Sequence, residues 1–154
     1  MLSETLKEEI ESHIHEPERR EAACTEALRI VQRERGWIDD DSIRDIANFL
    51  GMSTHELDSV ATFFNLIHRR PVGRHVIRVC SSVSCWVMGY DALREALLKR
   101  LGVTLGETTA DGRFTVLPNQ CLGACDHGPV LMVGVETYRD VDASKIDDIL
   151  GRYS

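Results

Sequence analysis

Two cysteine pairs, each placed where an apolar, strand-like run ends, constrain this chain more than any other feature of its sequence. The first pair lies in "CSSVSC", residues 80–85, and the second lies in "CLGAC", residues 121–125. The segments before them, 75–79 and 113–117, have the composition of short strands. Because loops that leave a sheet commonly carry binding residues, the four thiols are predicted to converge on one centre.

The hydrophobic pattern divides the chain into two halves. As far as Leu66 the pattern is helical, as in "DDDSIRDIANFLG" and in the capping box "STHE" that opens the next helix. Pro71 and Gly73 mark a boundary. We therefore predict an α+β protein, with an N-terminal helical domain over residues 1–70 and a mixed domain over residues 71–154.

The second half predicts a small sheet with helices packed on it. Its order reads strand, loop, helix, strand, loop, strand, strand, helix. The run "PVLMVGV" has the length of a buried strand, and "VETYRD" is its expected hairpin partner. The last helix is predicted from the spacing of Ile146, Ile149, Leu150 and Tyr153.

Charge and composition exclude several classes of function. The formal net charge of −7 disfavours binding to nucleic acid and to anionic membrane surfaces. No apolar run approaches the ~18 residues of a membrane span, and the N-terminal stretch lacks the apolar core of a secretory signal. We expect a cytoplasmic chain, in which paired cysteines more often bind metal or take part in redox chemistry than form disulfides.

Four interpretations of the paired cysteines remain open. The two cysteine pairs of a zinc ribbon lie closer together in the sequence than these two pairs, which a whole helix separates. A thioredoxin-type redox pair requires the spacing C-x-x-C, which neither pair has. Unrelated buried thiols do not explain why all four lie in Gly- and Ser-rich loops. A 2Fe-2S cluster takes two thiolates per iron, and one pair from each loop supplies this arrangement. The spacing favours the cluster.

Several segments resemble one known family. These are "GW" at 36–37, "VATFF" at 60–64, "PVGRHVIRVC" at 71–80, "VSC" at 83–85, "GETTADGRFTVLP" at 106–118 and "CLGAC" at 121–125. Together they resemble the small 2Fe-2S subunit of NADH:quinone oxidoreductase, respiratory complex I. The resemblance covers about residues 17–151. It implies a helical bundle followed by a thioredoxin-like domain, docked on the flavin- and NADH-binding subunit.

The resemblance also implies a role for individual residues. Its C-x4-C and C-x3-C pattern makes Cys80, Cys85, Cys121 and Cys125 the cluster ligands. Cys24 matches no ligand of the family and is expected to be a small core residue within a helix. The family usually has "VATFY" where this chain ends in Phe64, so a hydroxyl is missing there. We expect the aromatic residues of this segment to lie in the helical core, with a partner surface as the alternative.

The expected function is electron transfer through one 2Fe-2S cluster. No dinucleotide-binding or phosphate-binding glycine motif is present, so FMN and NADH are expected on the partner subunit and no catalytic residue on this chain. The complex would lie on the cytoplasmic side of its membrane, without direct membrane contact by this chain. The alternatives are the equivalent subunit of a soluble NAD(P)-linked hydrogenase or formate dehydrogenase, and a zinc-stapled interaction module. His127 is either a solvated loop residue or a hydrogen-bond donor near the cluster.

Overall fold

A computed structural model describes residues 1–153. The chain separates into two compact units, the first comprising Met1–Pro71 and the second beginning at Val72. Within residues 1–153, none of the helices combines the length and the apolar character required to cross a bilayer.

The first unit is entirely helical. Asp39 and Ser53 cap two of its helices, and Ser53 forms the predicted capping box with Glu56. The apolar stripes of these helices meet in one core that includes Leu28, Ile46 and Leu57. The elements are α1 (Glu4–Ser12), a 3-10 helix (Pro17–Ala23), α2 (Cys24–Arg35), α3 (Asp40–Leu50) and α4 (Thr54–Phe63).

Two details of this unit depart from a regular α-helical bundle or from the expected burial. The segment after Pro17 is a 3-10 helix with non-helical backbone at Arg19, and α2 begins only at Cys24. The expectation that the aromatic residues of "VATFF" are buried is wrong. The Phe63 side chain is 80% exposed and that of Phe64 is 42% exposed, because α4 buries the face that carries Leu57 instead.

The second unit contains a four-stranded mixed sheet in the order β2-β1-β3-β4. Strand β1 is parallel to β2 and antiparallel to β3, and β3 forms the expected hairpin with β4. This arrangement confirms the predicted α+β class. The elements are β1 (His75–Cys80), α5 (Val83–Val87), α6 (Tyr90–Leu101), β2 (Phe114–Asn119), β3 (Leu131–Val133), β4 (Glu136–Tyr138) and α7 (Ile146–Leu150), with 3-10 turns at Cys125–His127 and Ala143–Lys145.

The core of the second unit includes Ile77 and Val79 of β1, which share one face of that strand. Leu97 of α6 and Ile149 of α7 belong to the same cluster of buried side chains. Successive residues of a strand point to opposite faces, so Arg78 and Cys80 of β1 lie on the other face. The sheet is therefore buried along β1 on both sides.

Candidate metal centre

The parallel pairing of β1 and β2 places both cysteine segments at one edge of the sheet. The last residue of β1, Cys80, is paired with Asn119, the last residue of β2. The backbone N–H of Ser81 donates to the Asn119 carbonyl at 2.8 Å, and the Ser81 hydroxyl donates to the same oxygen at 3.1 Å. The two segments therefore leave the sheet side by side.

The first cysteine pair is buried. Cys80 ends β1, and Cys85 lies on the short helix α5 that follows Ser82. Both residues are only 2% exposed. The Cys80 N–H donates to the Val130 carbonyl at 3.0 Å, which ties this segment also to the chain that enters β3.

The second pair is exposed and closely spaced. The sulfur atoms of Cys121 and Cys125 are 3.6 Å apart. A tetrahedral metal with metal–sulfur bonds of about 2.3 Å holds two sulfurs about 3.8 Å apart. The side-chain amide of Asn119 donates to the Cys121 carbonyl at 3.1 Å, which fixes the start of this loop. The pair is thus already positioned to share one metal ion.

The pKa values of the thiols report how close the two pairs lie. Burial raises the pKa of Cys85 to about 11, together with a hydrogen bond to the Cys80 thiol and the nearby charges of Cys80 and Cys125. The pKa of Cys125 is raised by its hydrogen bond with Cys121 and by the charges of Cys121 and Cys80. Each pair therefore interacts internally, and Cys125 connects the second pair electrostatically to the first.

Backbone N–H groups are directed at two of the sulfurs. The Gly123 N–H donates to the Cys121 sulfur at 3.4 Å, and this bond lowers the pKa of Cys121. A hydrogen bond from the Val130 backbone acts in the same direction on Cys85, against the effect of burial. Such N–H donors stabilise thiolate, which is the form that binds iron or zinc.

The arrangement of donors fits a two-iron centre held by two thiolates per iron. All five cysteines are free thiols, and four of them form the two pairs. Among residues 1–153, no three His, Cys, Asp or Glu side chains are grouped around a position for a single metal ion. Two pairs of thiols would supply two thiolates to each iron of such a centre.

The structure adds Gly128 to the residues that shape this centre. A Cβ atom at Gly128 would lie 3.3 Å from both the Cα and the sulfur of Cys85, and 3.1 Å from the sulfur of Met88. The backbone of residue 128 therefore passes closely over a candidate ligand. The only sequence signal is the "HGP" that follows the second pair, and it does not reveal which residue the glycine approaches.

Two further residues considered from the sequence have contacts of their own. The His127 ring contacts carboxylates, with Nδ1 3.1 Å from Asp140 and Nε2 3.6 Å from Asp126. Cys24 belongs to the first unit, where it is the first residue of α2 and is half-buried against the helical core.

Comparison with known proteins gives a consistent result. The family profile described as thioredoxin-like 2Fe-2S ferredoxin matches residues 9–154. The chain is 47% identical over 152 residues to the E subunit of NADH-quinone oxidoreductase from Escherichia coli K12, covering 99% of this chain and 92% of that one. It is 46% identical over 153 residues to the corresponding protein of Pseudomonas aeruginosa PAO1, with the same coverage.

A solved structure shares the fold. The NAD+-reducing NiFe-hydrogenase in its air-oxidised state matches with a TM-score of 0.69 at 22% sequence identity. The match covers 81% of this chain and 22% of that one. At this identity the likeness concerns the fold alone.

Proposed function

Because the chain belongs to the thioredoxin-like 2Fe-2S ferredoxin family, we propose that it is the subunit of an NADH-quinone oxidoreductase that carries one 2Fe-2S cluster and exchanges electrons with the flavin of a partner subunit. The proposal rests mainly on the two cysteine pairs that follow the same end of the sheet. The chain that carries them is 47% identical over 99% of its length to the Escherichia coli relative. When bound, the cluster supplies one-electron transfer.

We assign Cys80 and Cys85 to one iron and Cys121 and Cys125 to the other. The sulfur–sulfur distance of 3.6 Å in the second pair supports this assignment, as does the effect of Cys80 on the pKa of Cys85, which indicates that the first pair is also close together. The buried first pair would keep water away from an iron bound there. The exposed second pair would hold an iron close to the protein surface, where a partner can approach.

The residues around the thiols stabilise the reduced form of the centre relative to the oxidised form. The N–H group of Gly123 donates to the Cys121 sulfur, and the Val130 backbone lowers the pKa of Cys85. These dipoles stabilise negative charge on sulfur, and the charge increases when an electron arrives. The chain's own part in the reaction is thus to bind the four-thiolate centre, to shield one side of it and to stabilise added charge.

An apolar surface next to Cys85 supports contact with a protein partner. Val83, Trp86 and Val87 of α5, with Met88 directly after it, all have exposed side chains. We call these four residues the α5 surface. Large exposed apolar groups clustered in this way favour a protein interface. We propose that the α5 surface meets the flavin subunit, because electron exchange requires the two centres to be close.

The helical unit offers a second candidate surface for the same partner. Phe63, Phe64 and Leu66 are exposed at the end of α4. We propose that the helical unit holds the flavin subunit through this surface while the second unit presents the cluster. FMN and NADH would bind to the partner. The free thiols suit the reducing cytoplasm, so we place the complex's NADH-oxidising part on that side of its membrane.

The degree of similarity favours one parent complex. The chain is 46–47% identical to the two NADH-quinone oxidoreductase relatives over nearly its whole length. The likeness to the NAD+-reducing hydrogenase is one of fold, at 22% identity. We therefore favour the quinone oxidoreductase over the alternative of a hydrogenase or formate dehydrogenase subunit.

The proposal is tested by mixing the cluster-loaded chain with the flavin subunit of the same complex. The chain alone should show no NADH binding by calorimetry and no bleaching by NADH, whereas the mixture should form a stable complex. Trp86→Glu should weaken that complex at least tenfold, since buried aromatic side chains commonly dominate an interface. Val135→Glu, at another exposed apolar position, is the matched control. NADH binding by the isolated chain would contradict the proposal. An equal loss of affinity in Trp86→Glu and Val135→Glu would contradict the assignment of the α5 surface as the contact with the flavin subunit.

A further inference from the structure

Arg78 is the one buried charged side chain among residues 1–153. It lies in β1, the strand between β2 and β3, where it is paired with Leu117 and Met132. Only 5% of the residue is exposed. Burial lowers the pKa of the guanidinium, but arginine stays charged in proteins. Removing such a cation from water costs several kcal/mol.

The position of Arg78 relates it to the candidate metal centre. It is two residues before Cys80, and residues two apart in a strand lie on the same face. Their Cα atoms are therefore separated by about 7 Å. Arg78 also interacts with another group of the protein, so a contribution to packing has to be separated from the effect of its charge.

A buried cation on the same strand face as a candidate ligand can act on the charge of the centre. Two ferric ions, two sulfides and four thiolates sum to two negative charges, and one-electron reduction changes the sum to three without breaking a bond or moving a proton. A nearby positive charge stabilises the reduced state more than the oxidised one. We propose that Arg78 is the counter-charge of the cluster and raises its reduction potential. This inference rests on the proposed 2Fe-2S function.

Exposed charges near the centre have a smaller effect. Asp126 adjoins Cys125, but its side chain is 80% exposed and is screened by water and salt. A pair of charges interacts several times more strongly at the lower effective dielectric constant of a buried site than in water. We therefore expect the buried charge of Arg78 to act on the centre more strongly than an exposed carboxylate does, although the net charge of the chain is −7.

The test is a redox titration of the cluster-loaded chain, followed by visible and EPR spectroscopy. Arg78→Gln should shift the equilibrium between reduced and oxidised cluster three- to tenfold toward the oxidised form. This shift is a fall in reduction potential of about 30–60 mV, at 59 mV per tenfold change for one electron. Arg78→Lys keeps the charge, so the equilibrium constant between reduced and oxidised cluster should stay within about twofold of its value in the unsubstituted chain. Arg100→Gln removes the same charge from an exposed site on α6 and should also stay within about twofold.

Iron and sulfide content and the EPR line shape show whether the ligands are intact. An Arg78→Gln variant with full cluster content and a potential within twofold of the unsubstituted chain would overturn the proposal. If Arg78→Gln loses the cluster, Arg78→Met provides the neutral variant, and the same shift is expected. Loss of the cluster from all three Arg78 variants would mark a purely structural residue and would also overturn the proposal. Failure of the 2Fe-2S assignment itself would show as zinc, or no sulfide, in the unsubstituted chain.

Discussion

Replacement of Gly128 by alanine tests the packing of the backbone over the candidate ligand Cys85. The backbone at Gly128 has φ −74° and ψ 159°, which any residue adopts without strain. In the folded state the substitution therefore adds one methyl group without backbone strain, and it also reduces the conformational freedom of the unfolded chain. That methyl group would lie 3.1 Å from the Met88 sulfur and 3.3 Å from the Cα and sulfur of Cys85.

The size of the effect depends on which neighbour can move. Ordinary van der Waals contact begins near 3.4 Å, so each overlap is a few tenths of an ångström. Met88 is exposed and flexible, and it can turn away at low cost. The Cα of Cys85 belongs to a buried helical residue and cannot. We expect Gly128→Ala to lower the free energy of unfolding by about 1–2 kcal/mol, within the range measured for overpacked sites.

The assay is urea denaturation of the cluster-loaded protein under anaerobic conditions, followed by loss of visible absorbance. With a slope of about 2 kcal/mol per molar urea, the midpoint should fall by about 0.5–1 M. The double variant Gly128→Ala/Met88→Ala, compared with Met88→Ala, separates the two contacts. Most of the loss should persist without the Met88 side chain. A loss that disappears in the Met88→Ala background, or a shift below about 0.2 M in the single variant, would refute the reasoning.

Other substitutions test the remaining assignments. Serine at Cys80, Cys85, Cys121 or Cys125 should lose or destabilise the cluster, because each thiolate supplies one of only four protein bonds to iron, and a variant that keeps its full iron and sulfide content would remove that residue from the ligand set. Cys24→Ser should keep the visible spectrum and iron content while lowering the free energy of unfolding by about 1–2 kcal/mol, and bleaching would contradict its exclusion from the ligand set. Ser53→Ala should cost about 1 kcal/mol in urea denaturation through loss of the capping box, and no change would contradict that cap. Hydrogen bonds from Ser42 lower the pKa of Asp39, so its stabilisation is present above about pH 4 and is lost as pH falls through the lowered pKa. Asp39→Ala should therefore destabilise the protein at pH 7 more than at pH 2 in thermal melts, and an equal loss at both pH values would contradict the charge effect.

Much of the fold could be predicted from the sequence because the local signals agree with one another. The capping box at Ser53 and the alternation of strand and helix signals after Pro71 correspond to observed elements. Helix α5 was not predicted, because five residues carry too little periodicity and Ser82 makes no side-chain capping bond. The exposure of Phe63 was considered only as the alternative of a partner surface, because an apolar side chain on a helix is ordinarily expected to be buried.

The candidate metal centre could likewise be predicted only in part. The pairing of the thiols was accessible to sequence reasoning, since the cysteines follow strand-like segments and two parallel strands bring them to one edge. The closeness of Gly128 to Cys85 joins residues 43 positions apart, which no local pattern records. The burial of Arg78 was equally hidden, because an arginine in a strand is ordinarily on a solvated face.

Metal and sulfide analysis of the anaerobically purified chain, combined with EPR spectroscopy, tests the central claim most directly. If the chain binds one 2Fe-2S cluster, we expect equal amounts of iron and acid-labile sulfide, two of each per chain. The protein should be red-brown, with an EPR signal that appears only after reduction. Stoichiometric zinc in a colourless protein without sulfide would contradict it.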